Sequence, residues 1–540
     1  MRVSFNRSAL RGVWGSISGA ICMSTLLATG VLVACGTLGS SGTEGSGTND
    51  ASISPMDDAA MADGAMNGDG GGTGDGMGAD FGTPDLAPLP PDLTCVPAAN
   101  PDVPDPMFLD TNCDGIDGDA STAIFVSPTG NDANAGTAQN PVKTIAKAIA
   151  LATAQSKTSV YASKGTYAES VTLVSGISLY GGFDQAMGWQ RSAANVSRVQ
   201  APGTAVSAMG IATETHLEFL TLESTTGSAG QSSYGVFVAN SVGPVFLRYD
   251  QIGAGDGAAG SAGTAGTAGA SGGNGGNGTG GIMSAAGPTL GGAGGSSVCS
   301  RTGGTGGNGS SVAGGTGGAG VGNAGSGGAG GAETTSCLFA TALNGGNGIS
   351  GTAGAPGTNG AAAPGFVGGT ASGYLPGSGG DGTSGTAGNG GGGGGAGGCM
   401  GTAGKGGTGG GASFGVYLYQ STVTISSCTI RAGNGGAGGK GGAGSTGGNG
   451  GAGGVGGSKA GEAGAGGNGG AGGKGGDGGA GAGGNGGISY ALYGRGASLT
   501  QANNTTMNGA GGIAGVGGLN TAGAQAPNGA NGLSGMLRLD

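Results

Sequence analysis

Glycine supplies 146 of the 540 residues, while aromatic and charged side chains make up only 4% and 9%. An apolar core cannot be spread evenly along such a chain and must sit in its glycine-poor parts. The net charge of −11 disfavours nucleic acid and anionic lipid as partners and is compatible with cation binding.

The chain opens with a targeting pattern. Arg2, Arg7 and Arg11 precede the apolar stretch GAICMSTLLATGVLVA, and Cys35 follows it. Leu32-Val33-Ala34-Cys35 resembles the bacterial lipobox. That resemblance implies a signal peptide over 1–34, cleavage before Cys35, and acylation of its thiol and new amine. Several acyl chains anchor a protein far more firmly than one. Gly36 in place of Asp implies sorting to the outer membrane, with the protein exported and displayed at the cell surface. Residues 35–93 are poor in aromatic and rich in Gly, Ser, Ala, Asp, Met and Pro. They cannot bury enough apolar surface to offset chain entropy and read as an acidic, disordered tether.

Excluding Cys22 and the anchor Cys35, six cysteines are left: Cys95, Cys113, Cys299, Cys337, Cys399 and Cys428. An even count in an oxidising compartment suggests disulfides. Cys95 and Cys113 form a natural short-loop pair; the other four allow three pairings. Segment 94–120 also carries DTNCDGIDGD. Asp110, Asn112 and Asp114 have the D-x-N-x-D-G spacing that opens a calcium loop, with Asp117 or Asp119 available to complete the oxygens. Ser121 stands where an EF-hand needs Glu. The expectation is a compact calcium loop pinned by Cys95–Cys113, against a plain acidic turn.

From 121 to 252 the glycine content falls and strand patterns appear. STAIFVS reads as a strand. PVKTIAKAIALATAQ places Val142, Ile145, Ala148, Ile149 and Ala152 at helical spacing, and 158–183 gives three short β-runs. The block 124–183 resembles the N-terminal domain of bacterial right-handed parallel β-helix proteins of the pectate-lyase-like superfamily. Gly130, Asp132, Gly136, Thr137, Pro141, Thr144, Ile145, Ala148, Gly165, Tyr167 and Glu169 carry the resemblance. It implies an all-β chain, a right-handed parallel β-helix whose helix caps the open end of the coil stack. It implies little about chemistry.

Three later segments repeat one pattern: SYGVFVANSVGPVFLRYDQIGAGDG (233–257), SFGVYLYQSTVTISSCTIRAGNG (413–435) and SYALYGRGASLTQANNTTMNGAG (489–511). They read as successive coils, with 413–430 one coil and 488–540 the last coil and tail. The glycine-rich insertions 253–412 and 431–487 leave from one corner, since only the strands must keep register.

Within the insertions, Gly-Gly-X keeps a period of three, as in polyproline-II-type helices. Bare backbone on two sides lets neighbouring helices approach until N–H and C=O pair, which is polyglycine II packing. Disorder is the alternative, because glycine loses the most backbone entropy on ordering. The scarcity of proline excludes collagen. The tracts resemble the glycine-rich domains of mycobacterial PGRS proteins, and also the glycine-rich antifreeze proteins of some arthropods. X varies too freely for a regular ice-binding array.

His216 is the sole histidine, which removes most histidine-based mechanisms; it reads as an outward strand residue. Tyr180 and Trp189 read as end-cap packing. The favoured function is a lipid-anchored, non-catalytic surface protein with a structural, adhesive or matrix- or polysaccharide-binding role. The alternative is a polysaccharide lyase or hydrolase with an acid cluster around Glu218 and Asp250 on one outer face.

Overall fold

The computed structural model describes residues 95–98, 101–280, 290–308, 315–322, 325–330, 344–366, 368–459 and 464–540. The chain divides into Met1–Ala87 and Pro88–Asp540. The segments 1–34 and 35–93, expected to be signal peptide and tether, and Cys337 lie outside the described residues. The described residues all belong to the second unit.

Three parallel sheets form the faces of a parallel β-helix. The first face stacks Ala123–Val126, Ser159–Ser163, Ser178–Asp184, Thr215–Glu218, Val245–Arg248, Thr422–Ser426 and Ser498–Ala502. The second stacks Gly165–Tyr167, Ser197–Pro202, Leu220–Thr225, Gln251–Gly253, Thr429–Arg431 and Thr505–Met507. The third stacks Val171–Leu173, Thr204–Met209, Ser233–Ala239, Ser413–Tyr419, Ser489–Arg495 and Ser534–Leu539.

Strand alternation sends every second side chain inward, and the parallel register stacks like on like. Leu179, Leu217, Leu247 and Ile425 form one buried ladder. Val199, Leu222, Ile252 and Ile430 form a second. Val206, Val236, Val416 and Leu492 form a third. The three repeated segments are successive coils, with Ser233, Ser413 and Ser489 in register. Between the first and second faces the chain turns on a left-handed residue in four successive coils: Phe219, Tyr249, Ser427 and Asn503, with φ from 54° to 57°. Bulky residues rarely adopt this conformation, so the repeated corner is held by the stacking around it.

The helix Ile145–Ala154 contacts the first strands of the first and third faces, and buries Ile145, Ala148, Ile149 and Ala152 in the core. Its N-terminus explains much of the recurring motif. Asp132 accepts hydrogen bonds from the N–H groups of Lys143 and Thr144 and from the Thr144 hydroxyl. Glu169 accepts from the N–H groups of Ile145 and Ala146. Thr144 caps Lys147. Two carboxylates thus satisfy the orphan donors at the positive end of the helix.

The glycine tracts are hydrogen-bonded at a period of three. From Gly257 to Gly278, every third N–H donates to a carbonyl of the run Asn434–Val455, in parallel. Each outgoing tract continues a strand of the second face, because Gly253, Arg431 and Met507 are in register where the tracts depart. Segments 433–457 and 466–487 are antiparallel neighbours, paired from Gly466–Gly457 to Gly487–Gly436. The break in the three-residue phase falls between them. These bonds have the period of polyglycine II.

Neighbours explain where X is also glycine. Gly391–Gly398 contains one alanine and is buried throughout. An ideal Cβ on Gly394 would collide with the Gly470 backbone, and on Gly395 with Gly451. Where X is asparagine, the side chain often bonds to a neighbouring tract. Asn274, Asn277, Asn347 and Asn359 each accept a backbone N–H from a neighbouring tract, those of Ala452, Val455, Asn468 and Ala480.

The bundle is fixed to the β-helix by aromatic rungs on the outside of the third face. Phe237, Tyr417 and Tyr493 stack with centroids 5.0 and 5.2 Å apart. The short hairpin Gly369–Tyr374 lies over them. The Tyr417 hydroxyl donates to the Thr370 carbonyl, the Gly369 N–H donates to the Tyr493 hydroxyl, and the Tyr374 N–H donates to the Tyr234 hydroxyl. A disulfide joins Cys299 to Cys399 within the bundle.

Candidate functional site

Polar chemistry concentrates on the outside of the first face. Leu179, Leu217 and Leu247 point into the core, so their neighbours point out. Tyr180, Glu218 and Arg248 fall in one row, His216 and Phe246 in the next. The His216 ring stacks on Phe246 at 4.8 Å and faces Tyr180 at 6.3 Å. Its Nδ1 is 3.0 Å from Glu218 Oε1 and its Nε2 is 2.8 Å from Glu214 Oε1. Arg248 Nη1 lies 3.4 Å from the same Glu218 oxygen, and its guanidinium sits 4.6 Å from the Phe246 ring centre. Burial disfavours charge on His216, but the bonds to Glu218 and Glu214 outweigh it and raise its pKa above 6.5.

A strap formed by residues 101–122 lies against this face. Cys95–Cys113 closes its first loop, and the buried Asp102 carboxylate gathers the N–H groups of Thr111 and Gly118. Phe108 meets Phe219 edge-on at 5.0 Å. Arg191 stands beneath the strap, with its guanidinium within 4.9–5.6 Å of the ring centres of Phe108, Tyr180, Phe183 and Phe219. Its Nη1 donates to Asp117 Oδ2 at 2.9 Å, and both side chains are buried. Between strap and sheet lies a cleft of about 350 Å³. Asp102, Asp119, Tyr161, Tyr180, Glu214 and His216 are among its lining residues, and neither Lys nor Arg is.

The five residues of the expected calcium loop do not converge. Asp110 accepts the N–H groups of Cys113, Asp114 and Gly115. Asp114 accepts those of Ile116 and Ala120, and Asn112 accepts that of Asp114. Asp117 is instead committed to Arg191, and Asp119 caps Ser121. Among the described residues no group of three or more His, Cys, Asp or Glu side chains is arranged to hold a metal ion. The bonds of Asp117 and Asp119 thus lead away from Asp110, Asn112 and Asp114, whose side chains accept backbone N–H groups of their own loop.

Three further expectations change. Cys428 carries a free, buried thiol rather than a disulfide; it lies at a corner of the coil, with its N–H bound by Asn504. Asp250 does not join Glu218 on an outer face. The left-handed Tyr249 turns the chain so that Asp250 is 1% exposed. Its Oδ1 accepts the Leu220 N–H, while Oδ2 finds no partner among the described residues. Burial pushes its pKa well above the ordinary carboxylate range. Tyr180 packs with Tyr161 and Phe183 on the outer face beside the strap rather than at the end of the coil stack, whereas Trp189 meets Phe125 of the end strand and donates to the Ala138 carbonyl. Sequence reasoning missed Arg191; its signal is only a basic residue among aromatics.

Residues 128–184 match the model described as protein of unknown function DUF1565. The match covers the capping helix, Asp132 and Glu169, so it bears on how the β-helix begins. Neither curated proteins nor solved structures give a match.

The site lacks the arrangement of a nucleophilic hydrolase. Both nitrogens of His216 are held by carboxylates, which leaves neither free to activate a hydroxyl or thiol. Glu218 is engaged by His216 and Arg248 together. The cluster sets the carboxylates of Glu214 and Glu218 against the His216 ring and the Arg248 guanidinium, both packed on Phe246.

Proposed function

We propose that this chain is a non-catalytic, lipid-anchored surface protein. In this reading its β-helix displays a rigid glycine-backbone slab that binds extracellular matrix or polysaccharide. The hydrogen-bonded glycine bundle, fastened by Tyr234, Tyr417 and Tyr493, carries the reading. Such a slab offers wide, pre-ordered backbone and small polar groups, which lowers the entropy lost on binding a polymer.

Two experiments test it. Cosedimentation of the protein with a panel of acidic and neutral bacterial polysaccharides is expected to give retention without turnover; no retention on any polymer rejects the binding role. Metabolic labelling with an alkyne fatty acid is expected to mark the wild type and not Cys35→Ala; equal labelling rejects the anchor. Calcium at Asp110, Asn112 and Asp114 is a separate proposal. A rise in Tm with calcium that Asp110→Ala abolishes supports it, and an unchanged Tm rejects it.

The cluster of Glu214, His216 and Glu218 beside the cleft favours one other reading, a polysaccharide lyase or hydrolase. Polymer cleavage that is lost in Glu218→Gln would establish that reading instead.

A further inference from the structure

The cleft between the strap and the first face is acidic, and no residue of the glycine tracts lines it. Its carboxylates come from two places. Asp102 and Asp119 belong to the strap, and Glu214 precedes the strand Thr215–Glu218. Each has one oxygen committed and one open. Asp102 is only 6% exposed. Its Oδ2 accepts the N–H groups of Thr111 and Gly118, and its Oδ1 has no partner among the described residues. Asp119 Oδ1 accepts the Ser121 N–H, and Glu214 Oε1 meets His216 Nε2. The second oxygen of each is likewise without a partner among the described residues. A buried carboxylate with one unmatched oxygen at a cavity points to a donor supplied from outside.

Charge and spacing narrow the ligand. The neighbouring cations are engaged elsewhere: Arg191 with Asp117, Arg248 with Glu218, and Lys157 with the Ser121 carbonyl. His216 carries at most one positive charge against three carboxylates, so the cleft attracts a cation. Among the described residues no three such groups stand close enough to hold a metal ion. A ligand that reaches all three therefore carries its donors on a larger frame. The cleft, about 350 Å³, is at the small end of ligand sites. Pro101 and Val103 give it an apolar wall on the strap side, and Ser159 adds a hydroxyl on the sheet side.

We propose that this cleft binds an amino sugar in its protonated form, as a unit of a glycan whose amines are not acetylated. An ammonium group offers donors only, which suits the open oxygens of Asp102, Asp119 and Glu214. The C–H face of the sugar ring packs on Pro101 and Val103, and its hydroxyls meet Ser159. The same carboxylates, on a chain of net charge −11, repel a polyanionic glycan. Asp102 and Asp119 lie outside the matched block 128–184, so the family match does not carry this site. The site is separate from the glycine slab, and its failure leaves the reading of the slab intact.

The test is isothermal titration calorimetry of the full chain in non-ionic detergent. The probes are the β-1,4-linked glucosamine tetramer and its fully N-acetylated, uncharged counterpart. The glucosamine tetramer should bind with saturation, and the acetylated one at least about 10-fold more weakly. Asp119→Asn/Glu214→Gln keeps the oxygens that hold Ser121 and His216 and removes two charges, and should weaken the glucosamine tetramer about 10-fold. Circular dichroism and Tm check the fold. Should the double variant not fold, Glu214→Gln alone carries the test, since that side chain is 62% exposed; about a threefold loss is then expected. The proposal is overturned if the glucosamine tetramer does not bind, if the two tetramers bind equally, or if the folded variant binds as the wild type does. Spermidine binding as tightly as the glucosamine tetramer overturns the assignment to a sugar.

Discussion

Arg191 and Asp117 meet at 2.9 Å with both side chains out of water, 74 residues apart in sequence. The pair ties the strap to the first face of the β-helix. Removing one member leaves the other charged and buried, which typically costs about 3–5 kcal/mol. Arg191→Met should therefore destabilise the protein by that amount at pH 7 in denaturant titration. Asp117 also confers a pH dependence. Burial raises its pKa to about 6, against the attraction of Arg191. The folded state then holds this proton more firmly than the unfolded chain between about pH 4 and 6, so the contribution of Asp117 to stability falls as pH rises through that window. Asp117→Asn should remove that slope; an unchanged slope would contradict the assignment.

The glycine bundle predicts an asymmetric response to alanine and serine. A Cβ on Gly442 would collide with the Thr264 carbonyl, so Gly442→Ala should cost at least about 1–3 kcal/mol through overpacking. Ala443, the next residue, is exposed. Ala443→Ser should stay within about 0.5 kcal/mol. Equal effects at both positions, read by thermal unfolding, would mean the tract is not packed.

The aromatic rungs hold the hairpin Gly369–Tyr374 through single hydrogen bonds that can be removed one at a time. In Tyr493→Phe the buried N–H of Gly369 loses its acceptor. An unsatisfied buried donor costs about 1–3 kcal/mol. The expected result is a loss of that size together with new proteolytic cleavage near 366–376. Destabilisation without new cleavage would place the effect elsewhere.

Asp250 should be replaceable with a gain. Its carboxyl is buried, one oxygen lacks a partner among the described residues, and burial raises its pKa. Asn keeps the acceptor for the Leu220 N–H and has no ionised form to desolvate. Asp250→Asn is expected to stabilise the protein at pH 7, by about 1 kcal/mol or more. The gain should shrink as pH falls, because a raised pKa makes the acid least costly when protonated. Lower stability at pH 7 would show that the carboxylate is needed there.

Much of this architecture was legible in the sequence because a β-helix repeats its coils. The aligned starts at Ser233, Ser413 and Ser489 announced the register, and the motif around Asp132 and Glu169 announced the capped end. The three-residue period announced the glycine packing but not its order, since period alone does not say whether a neighbour is present. The aromatic rungs were harder to assign. Alternation separates two faces of a strand, yet Tyr417 and Tyr493 face outward onto a hairpin more than 40 residues distant from Tyr417 in sequence. Asp250 was misplaced because one left-handed residue, Tyr249, reverses which way the next side chain points. The pairing of Arg191 with Asp117 left no trace in local pattern, as neither residue has a periodic neighbour that implies the other.

Everything proposed for the glycine tracts depends on their being ordered backbone, which hydrogen exchange read by mass spectrometry can decide. Peptides across 257–278 and 433–457 should hold a protected fraction for minutes or longer, because every third N–H in 257–278 is bonded to a carbonyl of the adjacent tract. Complete exchange within seconds, with the coils still protected, would refute that order and leave the β-helix faces as the only ordered surface.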